Sequence, residues 1–519
     1  MQGRWQRADL ASGFVRSVRY RESVSGTCRC GNPPDNVSTY GADTTNAGSR
    51  GAVGPLRCSA VNVGIIGTGH VGLPTAGALA RVGHEVVATD AQHQKIDILS
   101  RGEVPFFEPG LLELITEGRE GGNLSFTIDP AQAVKDAKVV FICVGTPPRS
   151  SGEANLIAVE HSIEIVARHA SGPLIIAEKS TVPAGTADRI AASLHRLRPD
   201  GSFSLVSNPE FLREGTAVRD SLQPDRILVG SDSPEALATM RELYGPMVEE
   251  GSRWIETALR TAELAKHASN AFLALKVSFA NAMARICEAA GADVDGVTEI
   301  MGSDPRIGPA HLRAGLGYGG SCFPKDLLAF SRLADRLGYH FPLLGEIARL
   351  NDEAVESAFR KIEEALWNLE EKRVALLGLA FKGGTDDVRF SPALALAGRL
   401  LEAGATVVGY DPHAGATAKA EIPELEIAPE AYAALAGAHC AVVCTDWAEF
   451  RELDPVRMKS AMAMPVVVDG RNLLDPAAMA AVGFRYVPTG RPASGSEAGP
   501  GNGSADPAVR RALVTGGAS

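Results

Sequence analysis

The chain has 519 residues, of which 45% are hydrophobic and 22% charged, with a formal net charge of −11. That length accommodates two or three domains, each with its own core, and the acidic balance excludes the basic footprint of a nucleic-acid binder. No apolar run reaches the roughly 18 residues of a membrane span, so no membrane partner is expected.

Eight cysteines stand scattered at 28, 30, 58, 143, 287, 322, 440 and 444. That spacing is not a disulfide framework, and it points to a reducing, cytoplasmic setting. Cys28 and Cys30 with Cys58 lack the second close pair or His that would complete a metal site, so no metal is expected. Residues 1–60 are rich in Gly, Ser, Asn and Arg without hydrophobic periodicity, which predicts a disordered extension.

The apolar run 61–67 is a strand that leads directly into Gly67, Thr68, Gly69, His70, Val71 and Gly72. A helical stretch, 73–82, and a strand, 85–89, follow, ending in Asp90, an acid 18 residues past the last glycine (90 − 72). Strand, GxGxxG, helix and distal acid together form a dinucleotide-binding signature. Gly67 allows the tight turn, Gly69 the approach of a pyrophosphate, and Gly72 close helix–strand packing. Asp90 would accept hydrogen bonds from an adenosine ribose, favouring NAD over NADP, and the nearby Lys95 tempers that preference.

Strands are predicted at 138–144, 174–177 and 203–206, each ending in a polar turn at the sheet edge where ligands bind. These turns carry Thr146, then Thr181, then Glu210, Phe211, Leu212, Arg213, Glu214 and Gly215. The spacing of Glu210 and Glu214 would put both on one helical face. Residues 258–290 read as one long apolar helix, a spine between two units and a dimer surface, with Lys266 and Asn270 on a shared face.

The run 317–326 sets Cys322 in a glycine-lined approach, with Tyr318, Gly319 and Gly320 before it and Pro324, Lys325 and Asp326 after it. Pro324 is expected to open a helix, and a cysteine at that N-terminus gains thiolate character from the helix dipole. Gly319 and Gly320 would let a substrate reach the backbone. Cys322 reads as a nucleophile.

A second unit echoes the first. A strand at 372–377 leads into a turn at 378–383, with Ala380 where the middle glycine stood. A helix at 391–402, a strand at 406–410 ending in Asp411, and strands at 440–444 and 466–468 follow. Ala380 would crowd a dinucleotide, whereas Lys382, Arg389 and Arg471 supply charge for another phosphate ligand. The fold class is therefore α/β, two Rossmann-like doubly wound domains joined by a long central helix. Expected boundaries are 61–255, 256–355 with the cysteine loop, 356–488, and a disordered tail at 489–519.

Six segments, 67–72, 178–183, 208–215, 262–270, 306–326 and 378–392, resemble in order the motifs of the UDP-glucose/GDP-mannose dehydrogenase family. The resemblance covers about 61–487. It implies oxidation of a nucleotide sugar's 6-hydroxyl to a carboxylate in two hydride transfers, with two NAD per turnover. By resemblance, Cys322 forms a thiohemiacetal and then a thioester, and Lys266 and Asn270 stabilise the oxyanions. Asp326 handles protons with a water held by Thr181, and Glu210 serves thioester hydrolysis. Phe211, Leu212, Arg213, Glu214, Gly215, Arg306, Tyr318, Gly319, Lys382 and Arg471 fall at substrate positions, together with Lys266 and Asn270. Lys95, Thr146, Glu214, Lys325 and Arg389 fall at cofactor positions. The Arg306 position implies a homodimer, because in the family it reaches the neighbouring subunit's substrate. His311 departs from a common Phe, and Ala282 from a common Glu. Ser321, Phe323-Pro324 and Arg306-Ile307-Gly308 favour UDP-glucose over GDP-mannose or a UDP-N-acetylhexosamine. A one-step hydroxyacid or hydroxyacyl dehydrogenase and a non-catalytic NAD-binding protein are the rival readings.

Overall fold

The apolar runs Asn62–Ile66, Val139–Ile142 and Leu174–Glu178 are almost wholly buried, as strands covered on both faces must be. They lie in the first of two sheets seen in a computed structural model, which describes residues 60–492. Cys28, Cys30, Cys58, nearly all of the expected extension and most of the tail lie outside the described residues.

The first sheet comprises β1 (Asn62–Ile66), β2 (Glu85–Thr89), β3 (Leu124–Thr127), β4 (Val139–Ile142), β5 (Leu174–Glu178), β6 (Phe203–Ser207), β7 (Arg226–Gly230) and β8 (Arg253–Thr257). Its order is β3-β2-β1-β4-β5-β6-β7-β8, parallel except between β6 and β7. The second sheet comprises β9 (Arg373–Leu377), β10 (Thr406–Tyr410), β11 (Glu426–Ile427), β12 (Cys440–Val443), β13 (Val466–Asp469) and β14 (Arg485–Pro488). Its order, β11-β10-β9-β12-β13-β14, repeats the first six strands of the other. Both are doubly wound, and each places its first turn at the point where strand order reverses.

The spine is Leu259–Ala290, 32 residues, ended by Gly291 in the left-handed region (φ 71°). A second long helix, Pro342–Leu366, passes unbroken through position 355, so the chain enters the second sheet along a helix. Order extends beyond the expected limit at 488. Thr489 N–H donates to Asn472 Oδ1 at 2.9 Å, Gly490 N–H donates to Glu288 Oε1 at 2.7 Å, and Arg491 pairs with Asp293 and Asp295. Among the described residues, no helix is long and apolar enough to cross a membrane.

Candidate active site

The first turn is built around its glycines. Gly67 has φ 103°, and a Cβ there would lie 2.4 Å from the Cys143 carbonyl oxygen. A Cβ on Gly72 would lie 1.8 Å from the Gly67 oxygen, but one on Gly69 would meet nothing within 4 Å. The first helix, Gly72–Arg81, starts here with no side-chain cap. Its unpaired N–H groups and positive dipole end face the open space beside Gly69, which suits a pyrophosphate.

Asp90 Oδ2 accepts from Thr68 N–H at 2.8 Å and Thr68 Oγ1 at 3.0 Å, with Lys95 Nζ 3.4 Å away. Burial works against this carboxylate, yet the donors from Gln92 and Thr68 and the charge of Lys95 hold its pKa below the ordinary value. The acid thus holds the turn, and Oδ1, which accepts from Gln92 N–H, keeps a lone pair for a ribose hydroxyl. His70 packs at a tilt against Phe106, with ring centroids 4.0 Å apart. Burial, then Arg389, lowers its pKa to about 4, so the ring is neutral. Thr146 Oγ1 donates to the Thr181 carbonyl at 2.9 Å and ties two strand-end turns together. These residues fit a dinucleotide.

The second turn differs. Gly378 repeats the twist (φ 97°), and Asp411 Oδ2 accepts from Leu379 and Ala380 N–H at 2.8 and 3.1 Å. The next helix starts only at Pro392, where Ser391 caps it. Among the described residues no uncapped helix N-terminus follows this turn directly, so it lacks the anion cradle of the first.

Cys322 is the N-cap of the helix Phe323–Arg336, with Pro324 in its first turn. Around it, Lys266 Nζ sits 2.9 Å from Glu210 Oε1, and Asn270 Nδ2 donates to Asp326 Oδ2 at 2.6 Å. Lys325 pairs with Asp326. Lys266, Asn270, Glu210 and Asp326 are all buried. Ser321 Oγ lies 3.7 Å from Cys322 Sγ and donates to Glu214 Oε1 at 3.3 Å. Burial opposes the Lys266 charge, but Glu210, Cys322 and Asp326 raise its pKa above the ordinary value. Burial likewise opposes Asp326, and Lys325, His267 and Lys266 hold it ionised.

Three expectations are corrected here. The Cys322 thiol is not shifted toward thiolate. Burial, then the charge of Glu210, pushes it up to about 12 against the pull of Lys266. Gly319 and Gly320 do not open a path for substrate. A Cβ on Gly319 would lie 2.2 Å from the Phe390 carbonyl oxygen, and one on Gly320 would lie 2.9 Å from the Phe381 ring, so they let the second unit pack closely. Glu210 and Glu214 share no helical face, because 208–216 is irregular and the helix begins at Ala217. Asn208 precedes a proline, and Gly215 takes φ 84°. Glu210 turns to Lys266 and Glu214 to Ser321, and burial, then Asp387, raises the pKa of Glu214.

Other expected residues fall at varying distance. The Phe211 ring lies between the Arg226 guanidinium at 3.7 Å and Lys266 Nζ at 5.3 Å. Leu212 N–H donates to Glu210. Arg213 is closed on Asp220 at 2.7 Å, and Gly215 N–H donates to Glu108 Oε2 at 2.7 Å. Arg389 clasps Asp387 and reaches Glu214 at 4.0 Å. Lys382 is largely buried, which lowers its pKa, and Arg471 Nε donates to the Cys444 carbonyl at 2.8 Å. Tyr318 is buried edge-on to Phe323, and Asn351 bridges its backbone. Arg306 is absent from the cluster, with its side chain 87% exposed and held by Asp304. His311 takes φ 63° and lies 6.0 Å from Phe323. Glu178, Glu263 and His267 were not foreseen. Glu263 accepts from Gly185 and Ala187 N–H at 2.6 and 2.7 Å, and His267 Nε2 lies 3.1 Å from the Val182 carbonyl, fixing the segment after Thr181. Glu263 and His267 flank Lys266 on the central helix, the one signal the sequence held.

Three family models of the UDP-glucose/GDP-mannose dehydrogenase family match the chain: the NAD binding domain over 61–248, the central domain over 260–353 and the UDP binding domain over 375–476. A UDP-glucose 6-dehydrogenase of Pseudomonas aeruginosa is 42% identical over 442 residues, 83% of this chain and 98% of its own. One from Rhizobium meliloti is 42% identical over 436 residues, 83% of this chain and all of its own. The solved structure of a UDP-glucose dehydrogenase from the archaeon Pyrobaculum islandicum superposes with TM-score 0.77 at 35% identity, covering 84% of this chain and 99% of that one. Glycine turn, buried cysteine cluster and matched models agree: the chain belongs to the UDP-glucose/GDP-mannose dehydrogenase family.

Proposed function

We propose that this protein oxidises the C6 hydroxyl of UDP-glucose to the carboxylate, giving UDP-glucuronate, with Cys322 as covalent nucleophile. One observation carries the reading: a cysteine at a helix N-cap whose buried neighbours are a cation, Lys266, an amide donor, Asn270, and two carboxylates, Asp326 and Glu210. NAD, held at the turn from Gly67 to Gly72 with Asp90, Lys95, Thr146, Glu214, Lys325 and Arg389 around it, supplies the two-electron acceptor for each oxidation.

An aldehyde at C6 has no second hydride to give until something adds to it. Cys322 Sγ bonds to that carbon while its proton passes to the former carbonyl oxygen, giving a thiohemiacetal. Lys266 Nζ and Asn270 Nδ2 hold the oxygen as negative charge develops. Burial and Glu210 raise the thiol pKa and Lys266 lowers it, so the approach of the carbonyl to Lys266 favours transfer of the thiol proton. Loss of the C6 hydrogen and the hydroxyl proton leaves a thioester. Water then forms a C–O bond as the C–S bond breaks, the proton returns to sulfur, and Glu210 Oε1 or Oε2 orients that water. Asp326 and the Thr181 hydroxyl are assigned to proton handling at the sugar oxygen. Lys382, Arg471, Arg213 and the 211–215 loop are assigned to the nucleotide sugar.

The exposed apolar residues Phe272, Phe279 and Ile286 stand seven apart on the central helix and support a homodimer with Arg306 serving the other subunit. A division into three units at 61–255, 256–355 and 356–488 accompanies this reading, its second limit falling within the helix Pro342–Leu366 and its last extended to Arg491, as does a reducing, cytoplasmic setting. Counting NADH per sugar across a panel of UDP-glucose, GDP-mannose and UDP-N-acetylhexosamines tests it. Two NADH with UDP-glucose, and no uronate release by Cys322→Ser, are expected. One NADH per substrate, or normal uronate from that variant, would remove the covalent step.

A further inference from the structure

A groove of about 250 Å³ lies outside the cofactor turn and the Cys322 cluster. Arg149, Arg189, Arg332 and Arg336 line it, and Glu153 and Glu160 are its acids. In a chain of net charge −11, four guanidinium groups gathered in one groove run against the average.

Their pairing is loose. Arg336 lies 3.8 Å from Glu153, and Arg332 lies 4.0 Å from Asp335. No ion pair is formed by Arg149 or Arg189 among the described residues. Elsewhere Arg213, Arg306 and Arg389 close on Asp220, Asp304 and Asp387 at 2.6 to 2.7 Å. Each guanidinium presents a planar fork of donors suited to phosphate oxygens. Four cations against two acids leave the groove with an excess of positive charge, and an entering anion relieves the repulsion among them.

We propose that this groove binds the diphosphate group of a small anion, free or carried on a nucleotide, at a place separate from the cofactor and sugar-nucleotide sites. Its walls give the binding a consequence. Arg332 and Arg336 ride on the helix whose N-cap is Cys322. Pro183, Gly185 and Thr186 lie in the segment just past Thr181. An anion bridging Arg189 to Arg332 clamps these two parts together, so occupancy and turnover are linked.

The test uses the full chain saturated with NAD and UDP, so that both nucleotide sites are filled, titrated by calorimetry with inorganic pyrophosphate and with ADP. Binding of either supports the site, and the tighter one identifies whether a free or nucleotide-borne diphosphate is preferred. The exposed double variant Arg189→Ala/Arg332→Ala is expected to bind at least about tenfold more weakly, the effect of one lost charge-assisted hydrogen bond or more. Its thermal unfolding without added anion should match the parent. No binding of either probe, or equal binding by the variant, would overturn the site. With saturating UDP-glucose and NAD, pyrophosphate should change the rate of NADH formation in the parent and not in the variant. An unchanged parental rate would overturn the linkage.

Discussion

Lys266 Nζ and Glu210 Oε1 meet at 2.9 Å, both side chains within 5% of full burial, and Cys322 feels both. After burial, Glu210 is the largest influence raising the thiol, whereas Lys266 lowers it. Glu210→Gln should therefore move the Cys322 pKa down from about 12 and speed alkylation by iodoacetamide at neutral pH, about tenfold for each pH unit by which the thiol titrates lower. Lys266→Met should slow it and reduce NADH turnover by about 100-fold or more. Alkylation rates across pH, read by mass spectrometry, check both signs. Equal rates in Glu210→Gln and the parent would mean that the carboxylate does not govern the sulfur.

Gly319 and Gly320 are predicted to be intolerant for different reasons. A methyl on Gly319 points at backbone, the Phe390 carbonyl 2.2 Å away, whereas one on Gly320 points at the Phe381 ring. Gly320 also has φ 78°, which disfavours any side chain. Each alanine variant should lose about 1–3 kcal/mol or more, as overpacking does. Phe381→Ala should recover part of the Gly320→Ala loss and none of the Gly319→Ala loss. Urea unfolding of the single variants and of both pairs with Phe381→Ala gives the coupling. Recovery of both by Phe381→Ala would contradict the assignment of the Gly319 contact to backbone.

Strands β2 and β10 were legible to the residue, because each is a short apolar run that follows a glycine turn and ends at an Asp. The first turn was legible because strand, glycines and helix sit side by side in the chain. What escaped depends on contacts between distant segments. The i,i+4 spacing of Glu210 and Glu214 has meaning only on helical backbone, and Pro209 and Gly215 prevent it. That Gly319 and Gly320 serve Phe381 and Phe390 shows only when the second sheet is in place. The raised Cys322 pKa reflects burial, a property no local pattern reports. The charge of Glu263 reaches Glu178 across a long stretch of sequence.

Asp90 and Asp411 hold equivalent turns, but their remaining capacity differs. Asp411 Oδ2 takes Leu379 and Ala380 N–H and Trp447 Nε1, and Oδ1 takes His413 and Ala414 N–H. Asp411→Ala should destabilise the fold by about 1–3 kcal/mol for each buried donor left unpaired and leave NAD affinity unchanged. Asp90→Ala should weaken NAD binding about tenfold or more, through both the ribose contact and the loosened Thr68. Fluorescence titration of NAD alongside urea unfolding separates the two effects. Unchanged NAD affinity in Asp90→Ala would count against the cofactor assignment.

Glu178 ends β5 two residues before Ser180, whose N–H donates to its Oε1 at 2.9 Å, while Oε2 is buried without a partner. Burial, with the charge of Glu263 adding, pushes its pKa from 4.5 up to about 8. Burial raises the pKa of Glu263 as well, but the Ala187 and Gly185 N–H groups oppose that rise. Across that window the folded state holds a proton that the unfolded state has released. Stability therefore falls as pH rises from 4.5 toward 8 and levels off above, by up to about 1.4 kcal/mol per pH unit. Glu178→Gln carries a permanent neutral stand-in and escapes the loss. Its advantage over the parent in urea unfolding should be small near pH 5, widen steadily to pH 8 and then stay constant. A difference that does not change with pH would mean that Glu178 is ionised throughout, with the Ser180 side chain and N–H as its compensation.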